Sequence, residues 1–227
     1  MARLQDSKGK AGEGYNRIFG NQQLGRLLSR VQSTMIRSGL ELEKILKEVI
    51  PLDIQTTLDD LNDPSNLLPD IQVVFKPSRP NPDNPKKSIE ADLLIVDNRS
   101  RTFALVEIKD GDVFDTKKSD GELASLKSIT SWLAQEFAYK TEYFLCAFNQ
   151  GDKEIIVQGT KRRFSIEHVM TGRELCERIG LDYDTLRENR KIDQRGNLQY
   201  FLTELLKISE IKNEILELVQ NQEYLDD

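Results

Sequence analysis

The stretch Phe103–Lys109, which reads FALVEIK, decides the fold, because its character changes within what the sequence predicts to be a single strand. Side chains alternate between the two faces of a strand, so Glu107 and Lys109 continue the face that begins with the apolar Phe103. A face that starts apolar and ends charged indicates a strand that is buried at first and then reaches a cleft at the edge of a sheet.

A second strand precedes this one and pairs with it in the predicted structure. The β-branched and aromatic content of Ala91–Asp97 and Arg101–Lys109 predicts two strands, and Asn98–Ser100 has the composition of a turn. A hairpin centred on that turn places Asp92 directly opposite Glu107 on the neighbouring strand. The two carboxylates are therefore expected to lie side by side.

Two carboxylates at that separation repel each other unless a proton or a cation lies between them, so the pair favours a divalent metal. Lys109, one side-chain repeat beyond Glu107, is then placed to orient or deprotonate a water on that metal and to neutralise phosphate charge. This combination suits phosphodiester hydrolysis. The alternative is a solvated strand end with an incidental Glu–Lys pair, which is the commoner origin of an isolated Glu-x-Lys.

The rest of the chain predicts a mixed α/β sheet flanked by helices, in a single domain over residues 1–227. Residues 1–20 are polar and glycine-rich and predict a loose N-terminal arm, whereas residues 22–158 form the expected catalytic core and residues 171–221 a helical C-terminal subregion. Within the core the sequence predicts one long or two abutting helices over 22–50, strands over 70–76, 143–148 and 154–158, an extended proline-rich loop over 77–85 and a helix over 122–139.

Composition excludes several classes of protein. The chain has 32 Lys and Arg against 38 Asp and Glu, and 38% of its residues are hydrophobic, which suits a folded acidic protein. No apolar segment has the length of a membrane span and the N-terminus lacks a signal-peptide pattern, so we expect a cytoplasmic protein. Cys146 and Cys176 are too far apart for a zinc knuckle, and His168 is the only histidine. A metal site must therefore use oxygen ligands.

The set Asp92, Glu107, Ile108 and Lys109, on a hairpin followed by a helix, resembles the signature of the PD-(D/E)XK nucleases, and specifically of type II restriction endonucleases. The chain departs from that signature because Ala91, not proline, precedes Asp92. Two literal Pro-Asp dipeptides, ending at Asp70 and Asp83, lie too far from Glu107 or inside the proline-rich loop, and are not assigned to the site.

The resemblance implies further site residues. In the segment 32–43, a Glu that follows Gly39 on the N-terminal helix reaches the metal site of many such enzymes; Glu41 and Glu43 both qualify, and the helical wheel favours Glu43. The expected catalytic residues are Asp92, Glu107, Lys109 and Glu43. The expected metal ligands, for Mg²⁺ with Mn²⁺ as a substitute, are Asp92, Glu107 and Ile108. Lys117 and Lys118, directly after the catalytic strand, are expected to contact DNA.

The resemblance thus implies a prokaryotic homodimeric endonuclease that cuts double-stranded DNA at a short, palindromic sequence, with a cognate DNA methyltransferase in the same system. Two alternatives stay open: a nuclease of the same fold that acts on DNA structure in repair or recombination, and a catalytically silent DNA-binding module. A small-anion-binding domain would need a glycine-rich phosphate loop after a strand, and the sequence has none.

Overall fold

The computed structural model describes residues 3–9, 13–63, 69–82, 84–111 and 116–223. The chain divides into two compact units, one formed by Met1–Glu41 and Asp184–Asp227 and the other by Leu42–Tyr183. In chain order the elements are α1 (Glu13–Phe19), α2 (Gln22–Val49), α3 (Leu58–Leu61), β1 (Ile71–Phe75), β2 (Ser78–Asn81), β3 (Asn84–Glu90), β4 (Leu93–Asp97), β5 (Thr102–Lys109), α4 (Thr116–Glu136), β6 (Lys140–Ala147), α5 (Lys153–Gly159), β7 (Val169–Thr171), α6 (Gly172–Arg178), α7 (Tyr183–Leu206) and α8 (Ser209–Glu223).

The second unit is built on a five-stranded mixed sheet of order β1-β4-β5-β6-β7. β4 pairs antiparallel with β1 and with β5, whereas β6 pairs parallel with β5 and with β7. The parallel step from β5 to β6 needs a crossover, and α4 supplies it. The predicted mixed α/β sheet with flanking helices is confirmed.

The centre of this sheet is inaccessible to solvent because β4 and β5 are apolar along most of their length. Leu94, Phe103 and Leu105 are fully buried, and α4 covers this face with Leu126 and Ile129, which are equally inaccessible. Burying such side chains contributes roughly 1.5–3 kcal/mol each, which anchors the strands that carry the charged residues at their ends.

The predicted hairpin is confirmed with its register. Leu93 pairs with Val106 and Ile95 with Ala104, so the next step beyond Leu93 places Asp92 opposite Glu107. The turn is held by Asp97, whose Oδ1 accepts hydrogen bonds from the backbone N–H groups of Arg99 and Ser100, both at 2.9 Å. The turn spans residues 98–101, one residue more than the predicted Asn98–Ser100, and its centre agrees with the register in which Asp92 lies opposite Glu107.

Three sequence predictions differ from the structure. Residues 153–159 form α5, not a strand: Asp152 Oδ1 accepts the Glu154 N–H at 2.8 Å and caps a helix that buries Ile156 and Val157. The proline-rich segment is not a loop, since β2 and β3 pair with each other as an antiparallel ribbon. The N-terminal arm is not loose at Leu4, which is buried and whose N–H donates to Asn197 Oδ1 at 2.7 Å.

The first unit is helical, and α2 runs through Gly39 without a break, so of the two predicted possibilities the single long helix is the one observed. The part of α2 up to Glu41 belongs to the first unit, and its last turns, with the buried Leu42 and Leu46, belong to the second. None of the helices in the described parts of the chain combines the length and the apolarity needed to cross a bilayer.

Candidate active site

Three charged residues form a row across neighbouring strands of the sheet. β1 pairs with β4 so that Phe75 faces Leu93, and one step further the Lys76 N–H donates to the Asp92 carbonyl at 3.1 Å. On its other side Asp92 is opposite Glu107. Asp92 therefore lies between a lysine and a glutamate, just where β4 begins and the sheet ends.

Asp92 is held by contacts at both of its carboxylate oxygens. Oδ2 accepts the backbone N–H of Ile108 at 2.7 Å, and Oδ1 accepts the Lys76 ammonium at 2.7 Å. The N–H and C=O of one strand residue point to the same side, so the Ile108 carbonyl is directed towards the β4 side, where pairing has stopped. The next carbonyl, that of Lys109, faces β6 and accepts the Phe148 N–H at 2.8 Å.

Glu107 and Lys109 are ion-paired, and a second carboxylate completes the group. Lys109 Nζ lies 2.7 Å from Glu107 Oε1 and 2.8 Å from Glu122 Oε1 on α4. Burial, and next the negative charge of Asp92, raises the pKa of Glu107 to about 7, although Lys109 acts in the opposite direction. For Lys109 the effect of burial is outweighed by its two carboxylate partners, so its pKa lies above the usual range.

Glu43 reaches the same row through Lys76. Lys76 Nζ lies 2.6 Å from Glu43 Oε2 and 2.7 Å from Asp92 Oδ1, so a single ammonium bridges the two carboxylates. Burial lowers the pKa of Lys76, but the hydrogen bonds and charges of Asp92 and Glu43 outweigh it and the net shift is upward. Of the two glutamates that the helical wheel considered, Glu43 is the one in this group, and Glu41 belongs to the first unit.

Sequence reasoning missed Lys76 and Glu122. Lys76 directly follows the predicted first strand. Its place at a strand end is the sequence signal that could have marked it, once that strand was known to lie beside the strand of Asp92. Glu122 stands near the start of the predicted crossover helix, which must pack back over the carboxyl end of β5 to reach β6. Neither inference could be made without knowing the order of the strands in the sheet.

Other residues considered in the sequence analysis either lie elsewhere in the fold or fall outside the described residues. His168 stacks on Tyr143 and pairs with Ser165, and the two cysteines are free and buried. Asp70 lies at the opposite end of β1, where it pairs with Arg99, and Asp83 is outside the described residues. The side chains of Lys117 and Lys118, in the first turn of α4, are outside them too, so their DNA-binding role stays a prediction.

Similarity to a known protein supplies the family. The chain is 37% identical over 224 residues to the type II restriction enzyme HhaII of Haemophilus parahaemolyticus, and the alignment covers 95% of this chain and 98% of that enzyme. The chain belongs to the type II restriction enzymes. It is thus a site-specific deoxyribonuclease, and the row at the sheet edge is the candidate catalytic centre of this restriction enzyme. No family model and no solved structure matches the chain.

The site of this restriction enzyme has the donor atoms that a hard divalent cation prefers. Across the described ranges, no group of three or more His, Cys, Asp or Glu side chains is spaced to hold a metal ion. Asp92 and Glu107 with the Ile108 carbonyl nevertheless offer three oxygens on adjacent strands. The Lys76 ammonium lies between the Glu43 and Asp92 carboxylates, so a positive charge is already present on one side of Asp92.

Proposed function

We propose that this enzyme is a Mg²⁺-dependent endonuclease of the PD-(D/E)XK type that cuts both strands of DNA at a short palindromic sequence. The observation that carries the proposal is the opposition of Asp92 and Glu107 at the end of a hairpin, with Lys109 two residues further on the same face. Family membership supports the class of enzyme. The metal, the symmetry of the sequence and the partners are part of the proposal.

The proposed metal-holding groups are Asp92, Glu107 and the carbonyl of Ile108; the register that sets Asp92 opposite Glu107, next to Ile108, supports this choice. Mg²⁺ supplies charge that stabilises the phosphate in the transition state and lowers the pKa of a bound water. Mn²⁺ has the same preference for carboxylate and carbonyl ligands and is expected to substitute for it.

Lys109 acts as a fixed positive charge. Its ammonium is held between Glu107 and Glu122, and its raised pKa keeps it protonated. A protonated lysine cannot accept a proton, so its proposed role is to orient the attacking water and offset the charge of the phosphate, not to deprotonate the water. Glu43 adds negative charge behind Lys76, and its proposed contribution is smaller because it reaches the row through another side chain.

DNA binding is proposed for the side of the sheet on which the row lies. Lys117 and Lys118 follow β5 and begin α4, so we propose that they contact phosphates near the cleavage position. An enzyme that cuts a short sequence would also cut its host DNA. We therefore propose that a cognate methyltransferase protects the same sequence.

A homodimer is proposed because a two-fold enzyme matches a two-fold site. The first unit exposes large apolar side chains on its helices, among them Leu198, Leu202 and Leu206 of α7, which are 59%, 47% and 47% exposed. Their spacing of four residues gives a continuous stripe along one helix face. An exposed apolar stripe of this kind is typical of an interface.

A plasmid digest tests the proposed function. Wild-type protein with Mg²⁺ should give discrete fragments whose sequenced ends share one palindrome, and Glu107→Gln should give none. Glu142→Gln is the matched control: Glu142 is paired to Lys140 on β6 and faces Ala104, towards the opposite end of the sheet, so cutting should continue.

The outcome also separates the two alternatives that the sequence left open. Cutting that depends on branches or ends and not on sequence would favour a structure-directed nuclease. Sequence-specific binding without cutting in Mg²⁺ or Mn²⁺ would favour a silent DNA-binding module. Either result contradicts the proposal.

A further inference from the structure

The ribbon formed by β2 and β3, here called the arm (residues 78–90), grows directly out of the catalytic row. It pairs Ser78 with Glu90 and Pro80 with Ser88, in the same register in which β1 pairs with β4. The Ala91 N–H donates to the Pro77 carbonyl at 3.1 Å and joins the two ladders. One long hairpin thus runs through the sheet, past Lys76 and Asp92, and continues beyond its edge.

The arm packs on the core mainly through Ile89, and most of its other side chains are exposed. Of the seven residues of β3, only Ile89 is half-buried, and the remaining six are exposed. One hydrogen bond from Arg79 Nη1 to the Ser128 carbonyl, at 3.1 Å, ties the arm to α4. A two-stranded ribbon is marginally stable by itself, and most side chains of this one are exposed, so a binding partner is expected.

The charge and the dimensions of the arm indicate double-stranded DNA as its partner. We infer that the arm lies in the major groove of the DNA beside the cleaved phosphate and contributes to sequence recognition; this inference rests on the proposed function. Residues 78–90 have three basic side chains, Arg79, Lys86 and Lys87, against two acidic ones, Asp83 and Glu90, so the arm has a small positive surplus. A two-stranded ribbon fits a groove ~12 Å wide, and seven residues of β3 span about 23 Å.

The composition of the arm has an alternative explanation, which is protection of its exposed strands against aggregation. Prolines and lysines on an exposed strand discourage pairing with other strands, and the segment has Pro80, Pro82 and Pro85 beside its lysines. In that case the arm would lie away from DNA. The two explanations predict different neighbours for Lys87 in the complex.

Cross-linking distinguishes them. Cys146 and Cys176 are buried, so a cysteine introduced at an exposed position can be labelled selectively with a photo-activated cross-linker. Lys87→Cys in a Glu107→Gln background, bound to a duplex containing the sequence found in the plasmid digest, should cross-link to bases at or next to the cleavage position. Lys140→Cys is the matched control, because Lys140 begins β6 opposite Thr102, at the other end of the sheet from Lys109.

Binding measurements complete the test. Lys86→Ala/Lys87→Ala should lower the ratio of specific to random-duplex affinity at least tenfold. An equal loss on both duplexes, or cross-linking at Lys87→Cys no stronger than at Lys140→Cys while the duplex stays bound, would overturn the groove assignment. A wild-type protein that neither cuts nor binds the duplex would contradict the proposed function instead.

Lys76 carries a second, independent inference. Its backbone has φ of 50°, in the left-handed region that residues other than glycine rarely adopt, directly before Pro77. In this conformation the Lys76 ammonium forms ion pairs with both the Glu43 and the Asp92 carboxylates. A costly backbone at such a position is typical of a functional constraint.

We propose that Lys76 is a tethered counter-ion, which holds Glu43 and Asp92 together while no metal is bound and is displaced from Asp92 when a divalent cation enters. The proposal rests on the metal site of the proposed function. Lys76 occupies Asp92 Oδ1 while Oδ2 accepts the Ile108 N–H, so both oxygens already have a partner and a cation that binds Asp92 meets the ammonium at Oδ1. Lys76 is thus a positioning residue that competes with the metal.

Metal binding without DNA tests this directly. Titration with Mn²⁺, followed by electron paramagnetic resonance, should show at least fivefold tighter binding to Lys76→Met than to wild type. The unfolding temperature of Lys76→Met without metal should fall, and Mn²⁺ should restore it. Lys153→Met is the matched control, since Lys153 pairs with Glu174 alone, 3.1 Å away on α6, and should leave Mn²⁺ affinity unchanged.

Two outcomes overturn the second inference in different ways. Equal Mn²⁺ affinity of wild type and Lys76→Met would show that the lysine does not compete. Absence of Mn²⁺ binding by both proteins would contradict the metal site itself. Lys76→Arg, which keeps the charge, should bind Mn²⁺ no more tightly than wild type.

Discussion

At the scale of single residues, Glu107 links the chemistry of the site to the stability of the protein. Its carboxyl has a pKa of about 7 in the folded state against 4.5 for an ordinary glutamate, because burial and the charge of Asp92 disfavour ionisation. The folded protein therefore binds a proton between these two pH values that the unfolded chain has released. The free energy of unfolding falls as the pH rises from about 4.5 to 7 and then levels off.

Glu107→Gln should remove this penalty. We expect the variant to be more stable than wild type at pH 8 by on the order of 2 kcal/mol, and equally stable below pH 4, where the carboxyl is neutral in both states. Urea unfolding at the two pH values measures the difference. A variant that is less stable than wild type at pH 8 would show that the Lys109 ion pair outweighs burial.

Glu122 is expected to act through Lys109. Glu122→Gln keeps the shape of the side chain but removes one of the two charges that hold the ammonium, so single-turnover cleavage should slow by roughly 10-fold. The affinity for DNA should change little, because Glu122 itself has no part in the proposed DNA contacts. Equal cleavage rates for variant and wild type would remove Glu122 from the catalytic group.

The residues of the site can be predicted as far as local geometry determines them. The pairing of Asp92 with Glu107 is accessible from the sequence because a short turn, residues 98–101, joins the two strands and sets their register. Lys76 and Glu122 approach the row from β1 and α4. Their positions depend on the order of strands in the sheet, which no local pattern specifies.

At the scale of elements, the start of α4 carries a prediction about DNA binding. Lysines that neutralise phosphates release counter-ions, so Lys117→Ala/Lys118→Ala should weaken binding to every duplex and reduce the salt slope by about 0.9 for each phosphate that is no longer neutralised. Anisotropy titrations at several salt concentrations measure that slope. Lys153→Ala, which removes a lysine paired on α6, is the control, and an unchanged slope in the double variant would place both lysines away from DNA.

Helices and strands can be predicted where their apolar periodicity is strong. They cannot be predicted where a helix cap or pairing with a distant strand determines the structure. α2, β4, β5 and β6 follow from their patterns. Ile155–Val157 is a β-branched run that predicts a strand, but the Asp152 cap starts a helix there. The arm escapes prediction because prolines normally interrupt strands, whereas here β2 and β3 pair outside the sheet, where each strand has a free edge.

At the scale of the whole molecule, the stripe on α7 predicts the oligomeric state. Leu198→Glu/Leu202→Glu should convert a dimer to a monomer in analytical ultracentrifugation, because two charges would be buried in the interface. The monomer should lose concerted cutting of both strands. Ile155→Glu, at a side chain of similar exposure in the second unit, should leave the dimer intact. A wild-type monomer that cuts both strands would contradict the proposed homodimer.

The continuous hairpin that forms the arm has an evolutionary consequence. Its two strands leave and re-enter the sheet in one register, so Lys76 and Asp92 are positioned by pairs inside the sheet and not by the length or composition of the arm. Residues can be exchanged in the arm without displacing the carboxylates of the candidate catalytic row. An enzyme of this design can diverge to new target sequences while its cutting chemistry is inherited unchanged.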